Sequence, residues 1–182
     1  MFVTPCKVFA MAETPEPPIR RKKVGIVMGS PNDYAKMRDA EDVLHRFGIE
    51  TRVRVMSAHR QPREVAEFAS NARENGYSAM ICGAGMAAHL AGVVSAHTTL
   101  PVVGVPLSGS AMSGLDALYS TVQMPKGIPV ATVAIDNATN AGILVTQMFG
   151  ITDPEMEAQV SHLREETRNA YNDIELDSEH SI

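Results

Sequence analysis

Val24-Gly25-Ile26-Val27-Met28 is an apolar run suited to one buried strand, and it stops at Gly29-Ser30-Pro31-Asn32-Asp33. Apolar residues then recur at helical spacing from Asp33 to Phe47 (Ala35, Met37, Ala40, Val43, Leu44, Phe47), with Gly48 placed as a C-cap. Ile49–Met56 reads as a second strand. Strand, helix and strand joined by short connections are the repeating unit of a parallel sheet, and this stretch decides the fold.

The unit recurs along the chain. Arg63–Asn75 predicts a second helix closed by Gly76, Ser78–Cys82 a third strand, and about Met86 to Ala96 a small-residue helix with His89 one turn in. Pro101–Val105 predicts a fourth strand, Ser113 to Val122 a helix, Val130–Ile135 a fifth strand and Ala138–Phe149 a helix, which Asn137 and Asn140 are placed to cap. Asp153 as N-cap and Pro154 at the first position open a last amphipathic helix to about Tyr171. Five strands, each read as a nearly unbroken apolar run, predict a parallel sheet covered on both faces. Short right-handed connections favour an α/β fold, a flavodoxin-like three-layer sandwich with a central parallel sheet, plus a C-terminal helix. That helix has no strand left to cover, so it caps the domain or packs on another subunit.

Composition narrows the function classes. At 182 residues the chain suits one domain, read as 23–172 between an N-terminal tail (1–22) and a flexible C-terminal tail (173–182). Thr14-Pro15-Glu16-Pro17-Pro18 favours extended chain, and Arg20 to Lys23 is a short basic lead-in. A net charge of −5 gives no basic field for nucleic acid. No apolar stretch reaches the length of a membrane span, and Met1 to Met11, interrupted by Lys7, does not fit a secretory leader. Two cysteines, Cys6 and Cys82, make no disulfide framework, and Cys82 reads as a buried thiol; a reducing cytoplasm fits. With no Trp and 5% aromatics against 45% hydrophobic residues, the interior is built from small aliphatics that allow close packing, and burying enough area suggests subunit contacts.

Chemistry gathers where strands end, the place open α/β sheets bind ligands. Ser57-Ala58-His59-Arg60 follows the second strand and precedes a helix opened by Pro62. A histidine moves protons near neutral pH, and an arginine holds phosphate or carboxylate. In Gly29-Ser30-Pro31-Asn32-Asp33, Ser30 and Asn32 offer hydrogen bonds beside a helix N-terminus, an anion cradle, and Asp33 suits ribose hydroxyls. The competing reading is that Asn32 or Asp33 merely caps the helix. Gly83-Ala84-Gly85 with Met86 to Leu90 leaves room for a flat ligand beside backbone amides, and His89 faces either that site or a neighbouring helix. The long connections Gly109–Gly114 and Gln123–Pro129 resemble loops that close over a site. Lys126 reads better as a solvated charge. Neither a metal-ligand spacing nor a serine-hydrolase elbow is present.

Taken together, Gly29-Ser30-x-x-Asp33, Ser57-Ala58-His59-Arg60-x-Pro62 and Gly83-Ala84-Gly85-x-Ala87-Ala88-His89-Leu90 resemble the bacterial N5-carboxyaminoimidazole ribonucleotide mutases of purine biosynthesis. Val105-Pro106, the Ser120–Val130 segment and Asn140-Ala141 extend the likeness from about Val24 to Tyr171. It implies a flavodoxin-like fold, a homo-octamer with sites at subunit interfaces, a small nucleotide substrate, and neither metal nor organic cofactor. It also implies roles. His59 is the general acid and base; Ser30, Asn32, Asp33, Ser57 and Arg60 hold phosphate and ribose; and Gly83, Ala84, Gly85, His89 and Leu90 line the base and carboxylate pocket. The chain departs from the family at Asn32, where serine is common, Met86, where glycine is, and Ala91, where proline is. Two other readings stay open: the related carboxylase using free carbon dioxide, and a nucleotide-binding module without catalysis.

Overall fold

The computed structural model describes residues 22–172. The tails expected over 1–22 (save Lys22) and 173–182 lie outside the described residues. In chain order the elements are β1 (Lys23–Met28), a 3₁₀ turn (Pro31–Asp33), α1 (Tyr34–Arg46), β2 (Glu50–Val55), α2 (Pro62–Ser70), β3 (Ala79–Gly85), α3 (Leu90–His97), β4 (Val102–Leu107), α4 (Leu115–Val122), β5 (Ala131–Thr132), α5 (Ala138–Gly150) and α6 (Pro154–Asn172). All strand pairs are parallel and the order is β2-β1-β3-β4-β5, the flavodoxin-like order. The order reverses between β1 and β3, which opens a crevice at their C-terminal ends.

Two apolar layers cover the sheet. On one face α1 and α5 bury Met37, Ala40, Leu44, Ala141 and Val145 against Val24, Ile26, Met28 and Ile81. On the other, α2 and α3 bury Val65, Phe68, Leu90 and Val94 against Val27, Met80, Cys82 and Val102. Small residues make this close packing possible: a Cβ on Gly142 of α5 would stand 3.1 Å from the Ala40 carbonyl oxygen of α1. Burial pushes the Cys82 thiol far above its ordinary range, so it is a packed group rather than a nucleophile. The last helix caps the domain: α6 lays Val160 into the α1–α5 core, and Asp153 caps its first turn by accepting from the N–H groups of Glu155 (3.1 Å) and Met156 (3.3 Å).

Five expectations are corrected. β2 is no unbroken apolar run; at the sheet edge it leaves Glu50, Arg52, Arg54 and Val55 exposed and half-buries Thr51 and Val53. α2 is regular only to Ser70, and turns carry the chain to Gly76. β3 continues through Gly83, Ala84 and Gly85, which pair with Val105, Pro106 and Leu107. α3 therefore starts at Leu90, with His89 as the residue before it, because Met86 takes φ +56° and breaks a helix started there. β5 is two residues instead of six. The next β4–β5 rung needs an N–H from residue 106, which is proline. The chain stays alongside by other bonds, Val133 N–H to Gly104 O (3.1 Å) and Asp136 N–H to Pro106 O (2.9 Å).

Candidate active site

A cleft of about 590 Å³ opens at the C-terminal ends of β1, β2, β3 and β4, the crevice the strand order creates. It gathers Ser30, Asn32, Asp33, Ser57, His59, Arg60, Ala84, Gly85, His89 and Leu90. A larger hollow of about 850 Å³ lies at the other end of the sheet, beside Pro101, Val102 and Ala131, and holds none of these residues.

The first loop is built around Ser30, whose Oγ accepts from the Asn32 N–H (3.3 Å) and caps the 3₁₀ turn. Asp33 precedes α1, yet its side chain makes no capping bond. The capping reading thus fails for Asp33, and its carboxylate stays available to the cleft. Burial pushes that carboxyl above its ordinary range, against the pull of a backbone hydrogen bond at Ser30 and the Lys36 charge.

The second loop closes on itself. Ser57 is buried; its carbonyl accepts from Gln61 N–H (2.8 Å), its Oγ from Arg60 N–H (3.3 Å), and its own N–H donates to Gln61 Oε1 (3.3 Å). This tight turn, followed by Pro62 at the start of α2, presents the side chains of His59 and Arg60 to solvent. The Ser57 hydroxyl keeps a proton to donate.

His59 meets His89 across the cleft. Nε2 of His59 lies 2.8 Å from Nδ1 of His89, with the rings nearly perpendicular at 88° and centroids 4.9 Å apart. Such a bond needs one ring to donate an N–H to the other's lone pair, so the rings fix each other's orientation. The sequence placed both residues near the site, but their pairing across thirty positions carried no local signal.

Gly83 stands apart from the other site residues, since it does not line the cleft. A Cβ there would lie 2.3 Å from Met37 Sδ, so the buried Met37 side chain of α1 fills the space that a side chain at 83 would take. Its carbonyl accepts from the Gly29 N–H at 3.2 Å and joins the first and third loops. Of the two long connections, the first reaches the cleft at Gly109, next to Ser108, whereas Gly127, Ile128 and Pro129 of the second border the opposite hollow. Lys126 is exposed, as a solvated charge is. Residues the sequence did not single out also line the cleft: Lys36 and Ser108. For Lys36 the only available hint was its position one turn beyond Asp33 on the same helix face.

Comparison with known proteins gives the site a context. Residues 23–170 match the family described as AIR carboxylase. The chain is 50% identical over 143 residues to the N5-carboxyaminoimidazole ribonucleotide mutase of Thermotoga maritima, a match covering 79% of this chain and 84% of that protein. It is 52% identical over 146 residues to the mutase of Vibrio vulnificus, covering 79% and 91%. The crystal structure of Treponema denticola PurE superposes with a TM-score of 0.76 at 28% identity, covering 82% of this chain and 94% of that one.

Proposed function

The chain belongs to the AIR carboxylase family, and from that premise we propose how its cleft works. Its activity is that of a mutase in purine biosynthesis: it converts N5-carboxyaminoimidazole ribonucleotide to 4-carboxy-5-aminoimidazole ribonucleotide. The observation that supports the mechanism is His59, held out by a locked turn and bonded to His89 at the mouth of the β1–β3 crevice. His59 protonates the carbamate nitrogen, the N–C bond breaks, and carbon dioxide leaves with neutral aminoimidazole ribonucleotide behind it. The enamine-like ring carbon C4 then attacks the retained carbon dioxide, and the C4 proton returns to the same imidazole. One base that first gives and then takes a proton serves both steps. Retention in the cleft replaces an external carbon dioxide supply by proximity.

Arg60 and Ser57 hold the 5′-phosphate, helped by Ser30 and Asn32 at the start of α1, and Asp33 accepts from the ribose hydroxyls. Ala84, Gly85 and Leu90 pack the base, beside His89. Residues 23–172 form the catalytic unit, working in the cytoplasm without metal or organic cofactor. The assembly is a homo-octamer with shared sites. Leu115, Tyr119 and Val122 on α4, with Met112 before it, stand 45–57% exposed and give one apolar stripe for a subunit contact. Light scattering then gives a mass near eight times 19.6 kDa, and a fully active monomer would sink the shared-site arrangement.

The decisive test is turnover of N5-carboxyaminoimidazole ribonucleotide by the purified protein with neither ATP nor metal added. Product formation is expected. Turnover only from aminoimidazole ribonucleotide plus carbon dioxide would make the chain a carboxylase, and binding without turnover would make it a nucleotide-binding module.

A further inference from the structure

One polar cluster on the cleft wall has no part in the chemistry above. Lys36 of α1 reaches to the β4 side of the crevice, where its Nζ donates to both carboxylate oxygens of Asp136 (2.9 Å each), to the Ser108 carbonyl (3.0 Å) and to Ser108 Oγ. Asp136 in turn accepts from the Ser108 N–H (2.8 Å) and the Ser108 hydroxyl. Its own N–H donates to Pro106 O at 2.9 Å. Three ammonium protons thus face four acceptors, and no donor is left over for a ligand.

Two features give this cluster its meaning. Asp136 sits in the left-handed region, φ +57°, a conformation uncommon outside glycine, and its bonds to Ser108, Lys36 and Pro106 hold it there. Ser108 is the last residue before Gly109–Gly114, the connection whose exposed residues 111–113 run out from the cleft rim. The bonds span 72 and 100 positions in sequence and join the β1 side of the crevice to the β4 side. We propose that Lys36, Ser108 and Asp136 form a latch that sets the width of the cleft and fixes the root of the 109–114 connection before substrate arrives. Lys36 is then a positioning residue for nucleotide binding rather than a phosphate ligand. A wall already ordered costs less entropy to close on a ligand, so the latch acts on affinity and leaves the proton transfers to His59.

The kinetic half of this inference rests on the mutase reading, whereas the structural half does not. The experiment measures amide hydrogen exchange of the unliganded protein and steady-state kinetics with N5-carboxyaminoimidazole ribonucleotide for Lys36→Met, Asp136→Gly and the double variant. Glycine accepts φ +57° without strain, so Asp136→Gly removes the carboxylate and leaves the backbone at ease. Asp136→Asn, which keeps the shape, replaces it if the glycine variant folds poorly. Exchange over 108–114 is expected to quicken about tenfold in each single variant and no further in the double, as for members of one unit. KM rises about tenfold with kcat within threefold of the parent, a loss of binding rather than of chemistry. Lys36→Arg, which keeps the charge, recovers most of the affinity. Unchanged exchange over 108–114, or additive effects in the double variant, would overturn the latch even in a fully active enzyme. A fall in kcat at constant KM would overturn the positioning role by placing Lys36 at the reacting atoms. A wrong substrate would leave the exchange result standing and show itself as no turnover in the parent.

Discussion

Asp33 lines the cleft, Asp136 sits behind its wall bonded to the lining residues Lys36 and Ser108, and the two are held in opposite ways. Asp33 has no side-chain capping bond, and burial raises its carboxyl above the ordinary range. Asp136 is also pushed up by burial, but the Lys36 ammonium, the Ser108 hydroxyl and the Ser108 N–H more than offset this and hold it below that range. The first carboxylate keeps unspent hydrogen-bonding capacity; the second has used its own. The contrast extends to their surroundings. On the β1–β2 side, His59 and Arg60 are exposed on a turn whose backbone is already satisfied, whereas on the β4–β5 side polar groups are consumed in holding each other. Groups left free point to ligand chemistry, and groups saturated by one another point to architecture.

The largest break in that contrast should come from His59. If the open side carries the chemistry, His59→Asn lowers kcat by about 10²–10⁴-fold while leaving nucleotide affinity and melting temperature near those of the parent. Activity within a few-fold of the parent would remove His59 from the mechanism. Arg60→Ala comes next. Losing a charge-assisted contact to phosphate typically costs about 1.5–3 kcal/mol, so nucleotide binding weakens roughly 10- to 150-fold in titration calorimetry. The parent should discriminate by a similar factor against the dephosphorylated nucleoside, and equal affinity for both would contradict the assignment.

The same contrast explains what the sequence could disclose. The open side is written locally: Ser57-Ala58-His59-Arg60 and Ser30-x-x-Asp33 each lie within one turn beside a strand end, so an apolar run followed by polar residues reveals them. The sheet itself was legible for the same reason, through strands whose neighbours in sequence alternate with helices. The latch was not, because Lys36, Ser108 and Asp136 are far apart in sequence and each looks like an ordinary surface polar residue. The shortened β5 and late start of α3 also escaped. One depends on Pro106 in the neighbouring strand and the other on a left-handed methionine, and periodicity reports neither.

A third prediction uses the opposite pKa directions. Asp33 has a raised folded pKa, so the folded state binds its proton more tightly than the unfolded chain does. Its ionisation therefore costs stability as pH rises from the ordinary carboxylate value through the raised one. Asp136 has a lowered folded pKa, so its stabilising effect is present above the ordinary value and is lost as pH falls through the lowered one. Asp33→Asn should melt higher than the parent at about pH 7 and match it at about pH 3, where both side chains are neutral. Asp136→Asn should melt lower at about pH 7, with the gap narrowing in acid. Shifts of the same sign in the two variants would dissolve the distinction between a carboxylate with bonding capacity to spare and a saturated one.

The smallest expected effect concerns Met86, which shares one property with Asp136 and lacks the other. Both are non-glycine residues in the left-handed region, at φ +56° and +57°. Asp136 is held there by a saturated carboxylate, whereas the Met86 side chain is 64% exposed on the cleft rim, with little packing to repay the strain. Glycine at 86 removes a conformational cost of about 1–2 kcal/mol and reintroduces about 0.5–1 kcal/mol of backbone entropy. Met86→Gly should therefore be more stable by about 0.5–1 kcal/mol, a rise of roughly 1–4 °C for a domain of this size. Asp136→Gly gains the same backbone relief but loses the carboxylate's bonds, so its melting temperature should fall. If both glycine variants move the same way, strain rather than hydrogen bonding governs both positions, and Asp136 does not hold the cleft wall.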